Sequence, residues 1–65
     1  MAYSARQTQQ GGIQVFNALT GVYHFYISPA SRKVHTFFVN GNTLTVNYEN
    51  NVIEIWDLTK RQKIR

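Results

Sequence analysis

Sixty-five residues with no cysteine, and seven Lys or Arg against three Asp or Glu for a formal net charge of +4, leave room for one small domain that buries only about 60% of its unfolded surface. No disulfide or thiolate metal site can staple so thin a core, which removes the usual support for an extracellular mini-protein, and no run approaches the ~18 apolar residues of a membrane helix. The opening MAYSARQTQQGG lacks the apolar stretch of a signal peptide, so the composition predicts a soluble, cytoplasmic chain.

Residues 1–11 are polar and Gln-rich, end in Gly-Gly and show neither helical nor strand periodicity, which predicts a flexible leader. Residues 13–17, IQVFN, then read as a short strand, and NALTG supplies Asn, Thr and Gly for a turn. The next strand, GVYHFYI at 21–27, carries aromatic, imidazole or β-branched side chains on both alternating faces. A half-buried strand has one apolar face and one polar face, because its side chains alternate with period two. SPASRK interrupts at 28–33, since Pro29 cannot donate a ladder hydrogen bond, and residues 33–39 form a third strand.

VNGNTLTV holds the most specific local signal, an Asn-Gly between β-branched runs that suits a two-residue type I′ hairpin turn. The implied register puts His35, Phe37 and Val39 on one face with Leu44, Val46 and Tyr48, and Val34, Thr36 and Phe38 with Thr43, Thr45 and Asn47. A second tight turn at Asn50-Asn51 would add Ile53 and Ile55 to the first face, taken as the core. Val52, Glu54, Trp56 and Leu58 would then fall on the Thr-rich face. The parity of the SPASRK connection decides whether Tyr23, Phe25 and Ile27 or Val22, His24 and Tyr26 join that second face; an even loop brings Tyr23, Phe25 and Ile27 beside Phe38 and Trp56. The expected fold is all-β: a leader (1–11), a five-stranded antiparallel meander (12–58) forming an SH3- or OB-like barrel or an open sheet, and a basic tail (59–65).

An apolar second face points to an interaction surface, because contiguous exposed apolar patches mark contact sites and Tyr and Trp anchor interfaces. The partner-binding candidates are Tyr23, Phe25, Phe38 and Trp56, and the expected partner is a second copy of the chain or another protein. The alternative is nucleic-acid binding, with bases stacked on the aromatics and phosphates held by Arg32, Lys33, Lys60, Arg61, Lys63 and Arg65. Against it, the chain has no RNP-type pattern, and the segment from Gly12 to Leu58 sets two cations against three carboxylates, a net charge of −1. No enzyme is expected, and no cofactor, metal or small-molecule substrate. His24 and His35 have no Cys, Asp or Glu near them in sequence to complete a zinc site. Glu54 and Asp57 would face opposite sides of a strand and cannot work as an acid/base pair.

GGIQVFNALTG and NVIEIWDLTKR align at one constant offset, matching Ile13 with Ile53, Val15 with Ile55, Phe16 with Trp56 and Asn17 with Asp57. The period, together with IEIWDLT, resembles the outer-strand end of a WD-type propeller blade, whose repeats run to about 40–45 residues. That resemblance implies several chains assembling to close a propeller, though the chain carries no Gly-His pair and has Asn50 or Asn51 where such repeats place a turn Asp. The simpler account is that two amphipathic strands share a composition.

Overall fold

The computed structural model describes residues 2–29 and 31–65; Met1 of the expected leader and Ala30 of the SPASRK connection lie outside the described residues. The described residues contain seven strands: β1 (Tyr3–Gln7), β2 (Ile13–Asn17), β3 (Tyr23–Ile27), β4 (Val34–Asn40), β5 (Thr43–Tyr48), β6 (Ile53–Asp57) and β7 (Gln62–Lys63). They form two antiparallel sheets, β1-β2-β3 and β4-β5-β6-β7. The chain is all-β as expected, but it is neither a single five-stranded meander nor a closed barrel. Two strands go beyond the expectation. The leader supplies β1, whose outward Ser4 and Arg6 make its alternation look merely polar, and the basic tail supplies β7.

The residues between β3 and β4 carry the chain from one sheet to the other, so these strands never pair and the parity of SPASRK settles nothing. The double apolar loading of GVYHFYI has a different cause. A bulge between Val15 and Phe16 in the β2–β3 pairing opposes Val15 to Phe25 and Phe16 to Tyr23, leaving His24 as the extra residue. Phe25 and Ile27 therefore turn inward and Tyr23 and Tyr26 outward. His24 reaches across to the end of β6, where its Nε2 donates to the Leu58 carbonyl at 2.7 Å, and within its own sheet its ring lies 5.3 Å from that of Tyr3 on β1.

The β4–β5 hairpin keeps the expected faces, with Val39 opposite Leu44, Phe37 opposite Val46 and Phe38 opposite Thr45. Its loop is Gly41-Asn42, and only Gly41 has positive φ, at 60°, the pattern of a type II′ turn in place of I′. A bulge at His35 then exposes that side chain and brings Val34 opposite the buried Tyr48. The β5–β6 hairpin overturns the second expected register. Asn51 donates to the Tyr48 carbonyl at 3.1 Å, Tyr48 donates to the Val52 carbonyl at 2.9 Å, and Asn51 has φ 66°. This is a three-residue loop built from a turn plus one left-handed residue. The additional residue flips the strand: Glu54, Trp56 and Leu58 face the core with Leu44 and Val46, while Ile53 and Ile55 face outward with Asn47 and Thr45.

Both sheets share one core of Tyr3, Ile13, Val15, Ile27, Val34, Leu44, Val46, Tyr48 and Leu58, with Phe25, Phe37, Val39 and Trp56 packed against it. The sequence repeat proves to be structural. Every β1–β2 pair recurs at the same offset between β5 and β6, from Tyr3 opposite Asn17 and Thr43 opposite Asp57 to Gln7 opposite Ile13 and Asn47 opposite Ile53. The turns recur as well. Gly11 bonds to Thr8 as Asn51 does to Tyr48, and the side chains of Asn17 and Asp57 each accept from the equivalent turn amide, that of Thr20 and that of Lys60. Gly21 and Arg61 occupy the same left-handed position, at φ 77° and 58°. Composition alone does not explain the alignment: β1-β2-β3 and β5-β6-β7 are two copies of one unit.

Candidate interaction surface

Core packing leaves each sheet an outer face. On the four-stranded sheet, Phe38 lies opposite Thr45, which lies opposite Ile55; Thr36, Asn47 and Ile53 form the adjoining row. Phe38 is 53% exposed and Ile53 58%. None of these six side chains carries a charge, which distinguishes this surface from an ordinary solvated face. The Thr-rich face anticipated from the hairpin register is therefore present. Its composition differs, because the three-residue turn at Glu49, Asn50 and Asn51 has exchanged Trp56 for Ile53 and Ile55.

The four partner-binding candidates consequently do not converge. Phe38 stands on the outer face of the four-stranded sheet and Tyr23 on the outer face of the three-stranded one, where its ring meets Phe16 edge-on at 5.8 Å. Phe25 and Trp56 meet between the sheets, their rings 6.1 Å apart, and both pack against the core. Ile53 and Ile55 escape sequence reasoning as surface residues because the tight-turn register assigns them to the core. The repeat at 13–17 holds a usable warning, since an equivalent turn there contains Gly11 at the position of Asn51.

The outer face of the three-stranded sheet is different in kind. Arg6 lies over the Phe16 ring at 5.3 Å and its Nε donates to the Gln14 side chain at 3.0 Å. Tyr26 lies across Gly12, which leaves no room for a Cβ there. This face carries one cation among aromatics and, on Ser4, Arg6, Gln14, Phe16, Tyr23 and Tyr26, no carboxylate.

The basic residues are dispersed by their partners. Glu54, 7% exposed, binds Arg32 at 2.7 Å and lies 3.7 Å from the Lys63 ammonium. Its other oxygen accepts from the Tyr48 hydroxyl at 2.9 Å and the Trp56 indole at 3.2 Å. Burial by itself pushes the Glu54 carboxyl up; the bonds from Tyr48 and Trp56, with the Lys63 and Arg32 charges, outweigh it and hold the group below its usual value. Burial, followed by the bond to Glu54, pushes the Tyr48 hydroxyl up to about 12. The Arg32 guanidinium also lies over the Tyr48 ring at 5.4 Å. This cluster clips the connection after β3 and the β7 segment onto the sheet. Lys33 lies 3.9 Å from Glu49, while Lys60 and Arg61 sit in the β6–β7 turn and the Arg65 carbonyl accepts from the Ile55 amide at 2.7 Å.

A depression of about 550 Å³ lies between the β1–β2 turn and the 31–34 segment, lined by Thr8, Gly11, Arg32 and Lys33 among others. No group of three His, Cys, Asp or Glu among the described residues could hold a metal ion, and no helix there is long and apolar enough to cross a membrane. No family model, curated protein or solved structure matches the chain.

Proposed function

We propose that this protein is a non-enzymatic, self-associating β-module whose contact surface is the Thr-rich outer face of the four-stranded sheet. The observation that carries the reading is the uncharged row of Phe38, Thr45 and Ile55 beside Ile53, with Phe38 and Ile53 more than half exposed. A second copy suits this surface because Phe38, Thr45 and Ile55 with the adjoining Thr36, Asn47 and Ile53 carry no charge to be repelled or left unpaired when water is expelled, the Asp57 carboxylate standing beyond Ile55 on the same side of β6. A thin, cysteine-free core also gains from association what it cannot gain from cross-links. The module belongs in the cytoplasm on this reading, on composition alone. Nucleic-acid binding has less support, since Arg32 and Lys63 direct their charge at Glu54 and Lys33 lies near Glu49.

The test is the native mass by light scattering on nuclease-treated protein, at low and high salt. Wild type should form a defined oligomer at both salts, and the double variant Phe38→Ser with Ile53→Ser should be a folded monomer. A wild-type monomer at all concentrations would remove the proposal.

A further inference from the structure

The self-contact proposed above has a template inside the chain. The two copies of the repeated unit pack through opposite faces. The inner face of the three-stranded sheet displays Ala5, Ile13 and Val15; their equivalents in the second unit, Thr45, Ile53 and Ile55, lie on the outer face of the four-stranded sheet. Conversely, the inner face of the four-stranded sheet displays Val46, Glu54 and Trp56, and their equivalents Arg6, Gln14 and Phe16 lie on the outer face of the three-stranded sheet. One chain therefore joins the first face of one unit to the second face of the next. It leaves free one copy of each face.

We propose that a second copy of the chain lays the outer face of its three-stranded sheet on the outer face of the first copy's four-stranded sheet, in the geometry by which the two sheets of one chain already pack. The proposal rests on the reading that the Thr-rich face self-associates, and names what covers it. The two free faces complement each other. Tyr23, Tyr26 and Phe16 offer aromatic surface with the single cation Arg6, and the opposing face offers the apolar Phe38, Ile53 and Ile55, with the Asp57 carboxylate on the same side of β6 and Arg65 paired opposite Ile55 as Phe25 is opposite Val15. Pairing two copies of the aromatic face would instead bring Arg6 against Arg6. In the internal junction the contact is Phe25 against Trp56; in the junction between copies, Phe16 takes the place of Trp56.

Such a contact is heterologous, so it closes into a ring or grows as an open filament. Sheets arranged in this way close in propellers with about four to eight blades, which at two sheets per chain gives about two to four copies per ring.

A mixing experiment decides it. Ile53→Lys spoils the Thr-rich face, sets a second cation against Arg6, and leaves the aromatic face intact. Phe16→Ser spoils the aromatic face and leaves the Thr-rich face intact; Tyr23→Ser, at a 52% exposed position, replaces it if Phe16→Ser loses the near-ultraviolet dichroism of a packed Trp56. Each variant alone should sediment as a monomer, and an equimolar mixture as a dimer that grows no further. If Phe16→Ser associates alone while Ile53→Lys stays monomeric, head-to-tail docking is wrong while self-association through the Thr-rich face stands; a monomeric mixture beside an associating wild type overturns both. Association of either variant alone also overturns the docking, and a monomeric wild type overturns both.

Discussion

Ile13 and Ile53 hold the same place in the two repeated units, each opposite a polar residue on the preceding strand, Gln7 or Asn47. Yet Ile13 is 1% exposed and Ile53 58%. Strand, turn and register are the same at both positions, so none of these causes the difference. Ile13 has the second sheet over it and Ile53 has nothing. The same contrast runs through the polar positions: Glu54 is enclosed by Tyr48, Trp56, Arg32 and Lys63, whereas its counterpart Gln14 meets only Arg6 on an open face. Local chemistry built the unit twice, and stacking assigned its residues to core or surface.

The sharpest way to break this comparison is to truncate both isoleucines. Ile13→Ala should cost about 2–5 kcal/mol as a buried large-to-small change, while Ile53→Ala in dilute solution should stay within about 0.5 kcal/mol. Urea unfolding followed by Trp56 fluorescence measures both. Repeating it at high protein concentration should raise the cost at Ile53, because association stabilises only the folded chain. Equal costs at both positions in dilute solution would mean that the environments of Ile13 and Ile53 are not different after all.

A smaller effect is expected from the polar pair. Glu54→Ala strips the acceptor from the buried Tyr48 hydroxyl and the Trp56 indole and should cost about 1–3 kcal/mol, whereas Gln14→Ala should be nearly silent. The carboxyl is held below its ordinary 4.5 in the fold, so the unfolded chain binds its proton first. Its contribution is complete above the unfolded value and is lost as pH falls below it through the folded value. Acid titration of stability should therefore be shallower in Glu54→Ala. Tyr48 behaves in the opposite sense: raised from 10.0 to about 12, it contributes below pH 10 and the contribution is lost as pH climbs through that interval.

The smallest effect lies in the repeated turn. Arg61 adopts a left-handed conformation that its counterpart Gly21 takes without strain, so Arg61→Gly should stabilise the chain by up to about 1 kcal/mol and Gly21→Ala should destabilise it by a similar amount. Thermal melts of the two variants should move in opposite directions. Movement in the same direction would show that the two turns are not energetically equivalent.

How much of this is legible in the sequence follows from the range of each signal. The Asn-Gly hairpin shows its faces because a two-residue turn sets the pairing of the strands on both sides. The next turn misleads because Asn tolerates both a two-residue and a three-residue loop, and Asn51 alone in the left-handed region decides between them. That single residue of difference moves Trp56 inward and Ile53 outward and dissolves the expected aromatic patch. β1 escapes notice because its outward Ser4 and Arg6 and small Ala5 weaken the period-two pattern. The repeat is visible as an alignment of residues, but its weight comes from coincident turns and registers that composition does not display.

By itself, the sequence determined the all-β class, the β2 strand, the β4–β5 hairpin and its Thr-rich face, since turn residues and period-two alternation act over a few neighbours. Only the tertiary structure decided that the strands divide into two sheets, that Glu54 is enclosed with Arg32 and Lys63, and that one isoleucine of a matched pair is core and the other surface. The physical reason is that burial depends on which surface lies opposite, and a repeating sequence presents the same faces whether or not a neighbour is there to cover them.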